Sequence, residues 1–182
     1  LSAISNQTLC AGETVTGITY NTTLPGTTVN WTNTETAIGL ASSGTGNISS
    51  FTGLNSGVVP IIGTLTATPV LNGCSGLPQT YSITINPVPI LSPVNSQTLC
   101  AGQTVSAINF SNNTATTVND WINSESGIGL ALSGTGNISS FVATNTTSAP
   151  ITAIVTTTPT AYGCVGLPQT FSITVNNLSL IH

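Results

Sequence analysis

The sequence repeats itself once along its length. A shift of 90 residues aligns residues 7–12 with 97–102 and needs no gap anywhere, and about half of the aligned positions are identical. Residues 44–51 and 134–141 share the sequence GTGNISSF letter for letter. A period this long exceeds that of solenoid repeats and matches one small β-sandwich domain. The repeat therefore predicts two domains in tandem, over residues 1–89 and 90–182.

A short proline-rich segment separates the two copies. Pro87, Pro89 and Pro93 fall within seven residues. Prolines this dense favour an extended and semi-rigid connector over a flexible one. We therefore expect a short Pro-rich linker between the domains.

Each copy has the pattern of several short β-strands. Residues 80–85 alternate strictly, residues 14–20 and 28–32 are rich in β-forming types, and residues 61–68 form a continuous β-rich run. Turn sequences such as Asn72-Gly73 separate these segments, and no segment has apolar residues at helical spacing over three turns. The pattern predicts an all-β immunoglobulin-like (Ig-like) sandwich of about seven strands. Its expected core aromatics are Trp31, Trp121, Phe51 and Phe141.

The glycine-rich GTGNISSF segment has two interpretations. A phosphate-binding loop would require a following helix N-terminus and usually a Lys, and the sequence offers neither. We therefore expect a tight turn, in which Asn and Ser side chains hydrogen-bond the backbone before a strand that ends in a core Phe.

The chain is nearly devoid of charge. It contains no Lys or Arg, four acidic residues and a single His, His182, so only 2% of its residues are charged. An average soluble domain is about a quarter charged. A nucleic-acid binder needs cationic side chains, and this class of function is therefore excluded. The longest apolar runs are a few residues, short of the roughly 20 that a membrane-spanning helix needs, so we expect no membrane insertion.

The acidic residues do not form a recurring catalytic set. Glu13 becomes Gln103 in the second copy, so no carboxylate pair of the kind that glycosidases use recurs. We predict that the chain is not an enzyme and has no cofactor. Glu35 and Glu125 do recur, and with carbonyl and Asn oxygens they offer at most a weak calcium site. The alternative is that they lie in a solvated loop.

Each copy contains two cysteines, Cys10 with Cys74 and Cys100 with Cys164. Four cysteines allow three connectivities, and the repeat symmetry favours one disulfide within each domain. Such a bridge would stabilise each domain by about 4 kcal/mol. It requires the chain before Cys10 to run as an extension or edge strand beside residues 73–76. Disulfides indicate an extracellular location, and the missing initiator Met and signal segment are expected of a mature form or a fragment of an exported chain.

The repeated elements resemble a known family. The segments QTLCAG, IGLA-x-SGTGNISSF and GC-x-GLPQT, with a central Trp in each copy, resemble the PKD-like domains that occur in tandem in very large surface proteins of Bacteroidetes. The resemblance implies a non-catalytic repeat module of a surface stalk, fibre or adhesin, exported by the type IX system, and gliding-motility adhesins are similar in composition. The implied partners are neighbouring copies of the same domain.

Two alternative functions stay open at this stage. The first is a carbohydrate- or surface-binding module that stacks surface glycans on exposed Trp31 and Trp121. The second is a subunit of a self-assembling extracellular filament. Burial of the two indoles would argue against the first, and a domain lacking one strand would favour the second.

Overall fold

The structure is a computed structural model that describes residues 1–177; residues 178–182, with His182, lie outside the described part of the chain. The chain divides into two compact units, Leu1–Pro87 and Val88–His182. The sequence repeat predicts a boundary two residues later, after residue 89. Both units contain the same elements in the same order.

Unit 1 is a two-sheet β-sandwich. Its strands are β1 Gln7–Cys10, β2 Thr14–Val15, β3 Thr28–Asn33, β4 Ser43–Thr45, β5 Phe51–Thr52, β6 Ile61–Leu71, β7 Cys74–Ser75 and β8 Gln79–Asn86. The larger sheet has the order β1-β8-β6-β3-β4, with β7 paired to β6, and β2 pairs with β5 in the smaller sheet. A short 3-10 helix, Thr36–Ile38, follows β3.

Unit 2 repeats this arrangement. Its strands are β9 Gln97–Cys100, β10 Thr104–Val105, β11 Val118–Asn123, β12 Ser133–Thr135, β13 Phe141–Val142, β14 Ile151–Ala161, β15 Cys164–Val165 and β16 Gln169–Asn176, with a 3-10 helix at Ser126–Ile128. The sheet order is β12-β11-β14-β16-β9, with β15 paired to β14, and β10 pairs with β13. The predicted all-β sandwich fold is therefore confirmed, with eight strands in each unit over residues 1–177 where about seven were expected.

Two strands differ in length from the sequence prediction. The strand expected over residues 14–20 ends at Val15 and continues only as a bridge between Ile18 and Ile48. Gly17 lies so close to the backbone of Ile48 that a Cβ there would approach the Ile48 carbonyl oxygen to 3.0 Å. In contrast, β6 runs past the expected end to Leu71, because β7 folds back and pairs with its last residues.

Alternation along the strands explains how each core forms. In β3 every second residue is buried, and in β8 Tyr81, Ile83 and Ile85 face inward while Thr and Ser lie between them. Leu65, Ile83 and Ile85 have no exposed surface. Burial of these apolar side chains is the main driving force for each unit, at about 25 cal/mol per Å² removed from water.

The first and last strands of each unit are parallel neighbours. β1 pairs with β8 in the register Gln7↔Ile83 to Cys10↔Asn86. β9 pairs with β16 in the equivalent register, Gln97↔Ile173 to Cys100↔Asn176. The chain therefore enters and leaves each unit on adjacent strands that run in the same direction.

Candidate functional site

The two tryptophans are buried. Trp31 and Trp121 are each 7% exposed and lie in the cores of their units. Gly44 is the residue opposite Trp31 on β4, and a Cβ on Gly44 would come within 2.2 Å of the indole Cζ2 atom. Gly134 has the same relation to Trp121. An indole held in this way cannot stack on a sugar, so the structure argues against the two tryptophans as a glycan platform.

The rest of the GTGNISSF segment also serves the fold. Gly46 adopts a positive φ of 75°, which a side chain would strain, and its N–H donates to the Val29 carbonyl oxygen. The Asn47 Oδ1 atom accepts a hydrogen bond from the Tyr20 backbone N–H at 2.9 Å. Asn137 does the same for Phe110. Phe51 and Phe141 are only partly buried and pack against the edges of the cores.

A buried asparagine organises the loop after β3. Asn33 is 7% exposed, and its Nδ2 atom donates to the carbonyl oxygens of Glu35, Leu40 and Ala41. Its Oδ1 atom accepts the Glu35 backbone N–H. Asn123 makes the same four contacts in unit 2. Neither asparagine is among the residues that the sequence predicts to be functional, although both recur at the 90-residue shift.

The two recurring glutamates begin the 3-10 helices. Glu35 accepts the Ala37 backbone N–H at 2.9 Å, and Glu125 accepts the Gly127 N–H at 2.8 Å. Both carboxylates therefore cap backbone donors that the helix itself leaves unpaired. Within residues 1–177, no group of three or more His, Cys, Asp or Glu side chains could hold a metal ion. Calcium binding at Glu35 or Glu125 stays a prediction.

A tyrosine pair distinguishes the core of unit 1 from that of unit 2. The Tyr20 and Tyr81 hydroxyls are 2.6 Å apart, and the side chains are 9% and 4% exposed. Burial raises the pKa of both phenols above the ordinary value, and their hydrogen bond raises the pKa of Tyr81 further. The equivalent residues in unit 2, Phe110 and Phe171, form a tilted ring pair with centroids 6.5 Å apart.

The cysteine pairing expected within each domain is not what the structure has. Leu9 is level with Ile61 across β8, whereas Cys74 pairs with Leu71. Ile61 and Leu71 are ten residues apart on one strand, which corresponds to about 33 Å. A disulfide needs Cα atoms within about 7 Å of each other. Cys10 and Cys74 therefore lie at opposite ends of unit 1, and the same registers separate Cys100 from Cys164 in unit 2.

The four cysteines differ in chemical state. Cys10 and Cys164 are disulfide-bonded. Cys74 and Cys100 are free and exposed. The equivalent positions of the two repeats therefore carry one oxidised and one free cysteine each.

The strand order and buried central Trp of each unit define the chain as two Ig-like β-sandwich domains in tandem. The I-band fragment I67-I69 from titin is similar in structure, with a TM-score of 0.52 and 10% identity over 95% of this chain and 63% of that one. The DIP-gamma IG1+IG2 structure matches with a TM-score of 0.46 and 11% identity over 97% of this chain and 96% of that one. The insect immune protein hemolin matches with a TM-score of 0.42 and 17% identity over 97% of this chain and 46% of its own.

These similarities concern the fold alone, because all three identities are low. No family model matches the sequence, and no curated protein matches it. The helices of residues 1–177 are all too short or too polar to cross a membrane.

Proposed function

We propose that the chain is a non-catalytic structural segment that carries tension in an extracellular stalk, fibre or adhesin on a bacterial surface. The resemblance to the PKD-like repeats of Bacteroidetes supports the bacterial context, the type IX export route and the gliding-motility setting. The Ig-like fold supports a structural role. Neighbouring copies of the same domain are the proposed partners.

The observation that carries the mechanical role is the parallel pairing of each unit's first and last strands. A force applied through the chain pulls on the start of β1 and the end of β8. Because the two strands are parallel, this force acts along the ladder and loads its hydrogen bonds together in shear. We call the β1–β8 ladder of unit 1 and the β9–β16 ladder of unit 2 the terminal clamps.

Further hydrogen bonds extend each terminal clamp at both ends. Beyond β1, the Ala11 N–H donates to the Asn86 carbonyl oxygen at 2.9 Å. Before β1, the Asn6 side chain accepts the Ser82 N–H at 2.8 Å. Unit 2 repeats the first contact between Ala101 and Asn176. The strongly repeated parts of the sequence thus serve the fold, as expected of a module whose task is to remain folded.

The surface composition suits an exposed location. Without Lys or Arg, the chain offers no cleavage site to a trypsin-like protease. The exposed polarity comes from hydroxyl and amide groups, which depend little on salt or pH. Amide side chains such as Gln7, which exchanges two hydrogen bonds with the Thr16 backbone, stabilise loops where other proteins use ion pairs.

The test is to stretch single molecules between their termini under reducing conditions. The matched variants are Ala11→Pro in unit 1 and Ala101→Pro in unit 2. Residues 10–13 form a turn in which the Glu13 N–H donates to the Cys10 carbonyl oxygen and Gly12 has a φ of 91°, and such a type II turn accepts proline at its second position. Each substitution therefore removes one clamp hydrogen bond, worth about 1 kcal/mol, and places the proline ring against the carbonyl oxygen that accepted it, which weakens the clamp further.

We expect two unfolding events in the unsubstituted chain. Ala11→Pro should lower the unfolding force of one event and leave the other unchanged, and Ala101→Pro should do the reverse. If neither variant changes the force distribution, the terminal clamps do not carry the load, and the mechanical proposal fails.

The filament alternative gains no support from the strand content. Both units contain the same eight strands within residues 1–177, so neither lacks a strand that a neighbouring chain would supply.

A further inference from the structure

The two units differ in one surface feature, although their strands are equivalent. Unit 1 has an open groove of about 350 Å³ beside the β6–β7 hairpin. Its walls are formed by the side chains of Leu1, Leu24, Pro69, Leu71 and Cys74, by the backbone of Gly76, and by neighbouring Thr and Ser residues. Leu24 is 57% exposed, and Cys74 and Gly76 are also exposed.

The equivalent groove of unit 2 is filled by that unit's own N-terminal segment, Pro89-Ile90-Leu91. The Ile90 N–H donates to the Asn113 Oδ1 atom at 2.7 Å, and the Asn113 N–H donates back to the Ile90 carbonyl oxygen. A Cβ on Gly166 would lie 2.1 Å from the Pro89 carbonyl oxygen, so the segment passes directly over this glycine. Gly76, the counterpart of Gly166, has only the Pro69 side chain and carbonyl within 4 Å.

Burial follows the same difference. Leu91 is 1% exposed and Ala161 is 2% exposed, whereas their counterparts Leu1 and Leu71 are only partly buried. Thr114 is 3% exposed, and its counterpart Leu24 is among the exposed apolar residues. Unit 1 is the more apolar of the two around the groove, with Leu24 and Leu71 where unit 2 has Thr114 and Ala161. More apolar surface is therefore left uncovered in unit 1.

The entry path of a segment into the unit 1 groove is already formed. The Gln79 Nε2 atom donates to the Leu1 carbonyl oxygen at 2.9 Å, as Gln169 does to Leu91. The Ser2 N–H donates to the Asn21 carbonyl oxygen, as Ser92 does to Ser111. Residues 1 and 2 therefore follow the path of residues 91 and 92, and residues joined before Leu1 are directed into the groove.

We propose that the groove of unit 1 binds an extended, proline-containing apolar segment that precedes Leu1, namely the end of a further copy of this repeat. The residues that fill the unit 2 groove are those that directly follow the last strand of the copy before it. By the repeat symmetry, residues equivalent to 88–90 of a further copy fill the groove of unit 1. This inference rests on the proposed array of repeats and names the segment by which one copy covers the next.

The test compares two N-terminal extensions of the full chain. One adds Asn-Pro-Val-Pro-Ile, a copy of residues 86–90, before Leu1, and the matched control adds Asn-Gly-Ser-Gly-Ser. Both carry Cys100→Ser, so that Cys74 is the reacting free thiol, and the probe is 5,5′-dithiobis(2-nitrobenzoate). A parallel pair with Cys74→Ser reports Cys100 as a reference thiol outside the groove.

We expect the proline-containing extension to slow the reaction of Cys74 at least about fivefold by blocking access, while the reaction of Cys100 stays unchanged. Adding Gly76→Ala to the extended chain should restore the fast reaction, because the new Cβ would occupy the path that the Pro89 backbone takes over Gly166. Equal Cys74 rates in the two extended chains would overturn the proposal, as would protection that persists with Gly76→Ala. The force experiment on the terminal clamps does not depend on the groove, so the two proposals can fail separately.

Discussion

The tyrosine pair of unit 1 makes a quantitative prediction, because unit 2 contains the version without hydroxyls. Tyr81→Phe removes one partner of the 2.6 Å hydrogen bond and leaves the Tyr20 hydroxyl buried without it. An unpaired buried hydroxyl costs about 1–3 kcal/mol. Tyr20→Phe should cost a similar amount for the same reason. Each single variant is therefore expected to destabilise unit 1 by about 1–2 kcal/mol.

The double variant, Tyr20→Phe with Tyr81→Phe, should behave differently. It removes both hydroxyls and recreates the pairing of Phe110 with Phe171, which unit 2 packs with ring centroids 6.5 Å apart. Replacing both partners of a hydrogen bond by apolar groups of the same shape is nearly neutral. We expect a loss below about 1 kcal/mol and a coupling energy of about 1–3 kcal/mol between the two positions.

Hydrogen exchange measured by mass spectrometry on the full chain separates the two units. Peptides from β3, β6 and β8 report unit 1, and those from β11, β14 and β16 serve as an internal reference. Each 1.4 kcal/mol of destabilisation should speed exchange of the most protected unit 1 amides about tenfold. If the double variant loses as much stability as the two single variants together, the two hydroxyls contribute independently and the predicted coupling between them is wrong.

Two further predictions follow from the same cores. Gly44→Ala should destabilise unit 1 by about 1–3 kcal/mol or more, because its Cβ would lie 2.2 Å from the Trp31 ring. The control Gly57→Ala should change the stability little, since only the Asn55 side chain lies near that position. Urea unfolding followed by Trp fluorescence measures both variants. Alkaline pH should destabilise unit 1 selectively. The raised pKa values of Tyr20 and Tyr81 keep both phenols protonated in the folded unit, whereas the unfolded chain loses these protons above pH 10.0. The stability of unit 1 should therefore fall by up to about 1.4 kcal/mol per pH unit for each tyrosine. Hydrogen exchange of unit 1 amides at rising pH, in the unsubstituted chain and in the double Phe variant, measures this loss of stability. Equal sensitivity of the two chains to pH would contradict the prediction.

Much of the fold could be predicted because the repeat and the strand patterns carry the same information. Alternation in residues 80–85 places Tyr81, Ile83 and Ile85 on one face, and the structure buries all three. Trp31 could be assigned to the core because a single Trp in the middle of a sandwich strand is usually the buried central indole of the domain. The partner that makes room for it, Gly44, could not be identified, since the contact depends on the register between β3 and β4.

The amide side chains that organise the loops escape sequence analysis for a different reason. In a chain this rich in Asn and Thr, Asn33 and Asn55 look like any other polar loop residue. Their roles depend on three-dimensional closure: Asn55 reaches the Val59 and Ile85 carbonyl oxygens, the second of them on β8. The sequence gives one clue, which is that both asparagines recur in the second copy, where Asn123 and Asn145 make equivalent contacts.

The cysteines show where the symmetry of a repeat misleads. The repeat symmetry favours disulfides that form within one copy, and the predicted pairing of Cys10 with Cys74 follows from that assumption. The direction of β1 rules out this pairing. Because β1 runs parallel to β8, Cys10 lies at the end of the sheet where β8 finishes, away from the hairpin that contains Cys74. That direction is also what places each terminal clamp in shear under the proposed load. One strand orientation, which the sequence pattern does not reveal, thus determines both the cysteine positions and the direction in which each clamp is loaded.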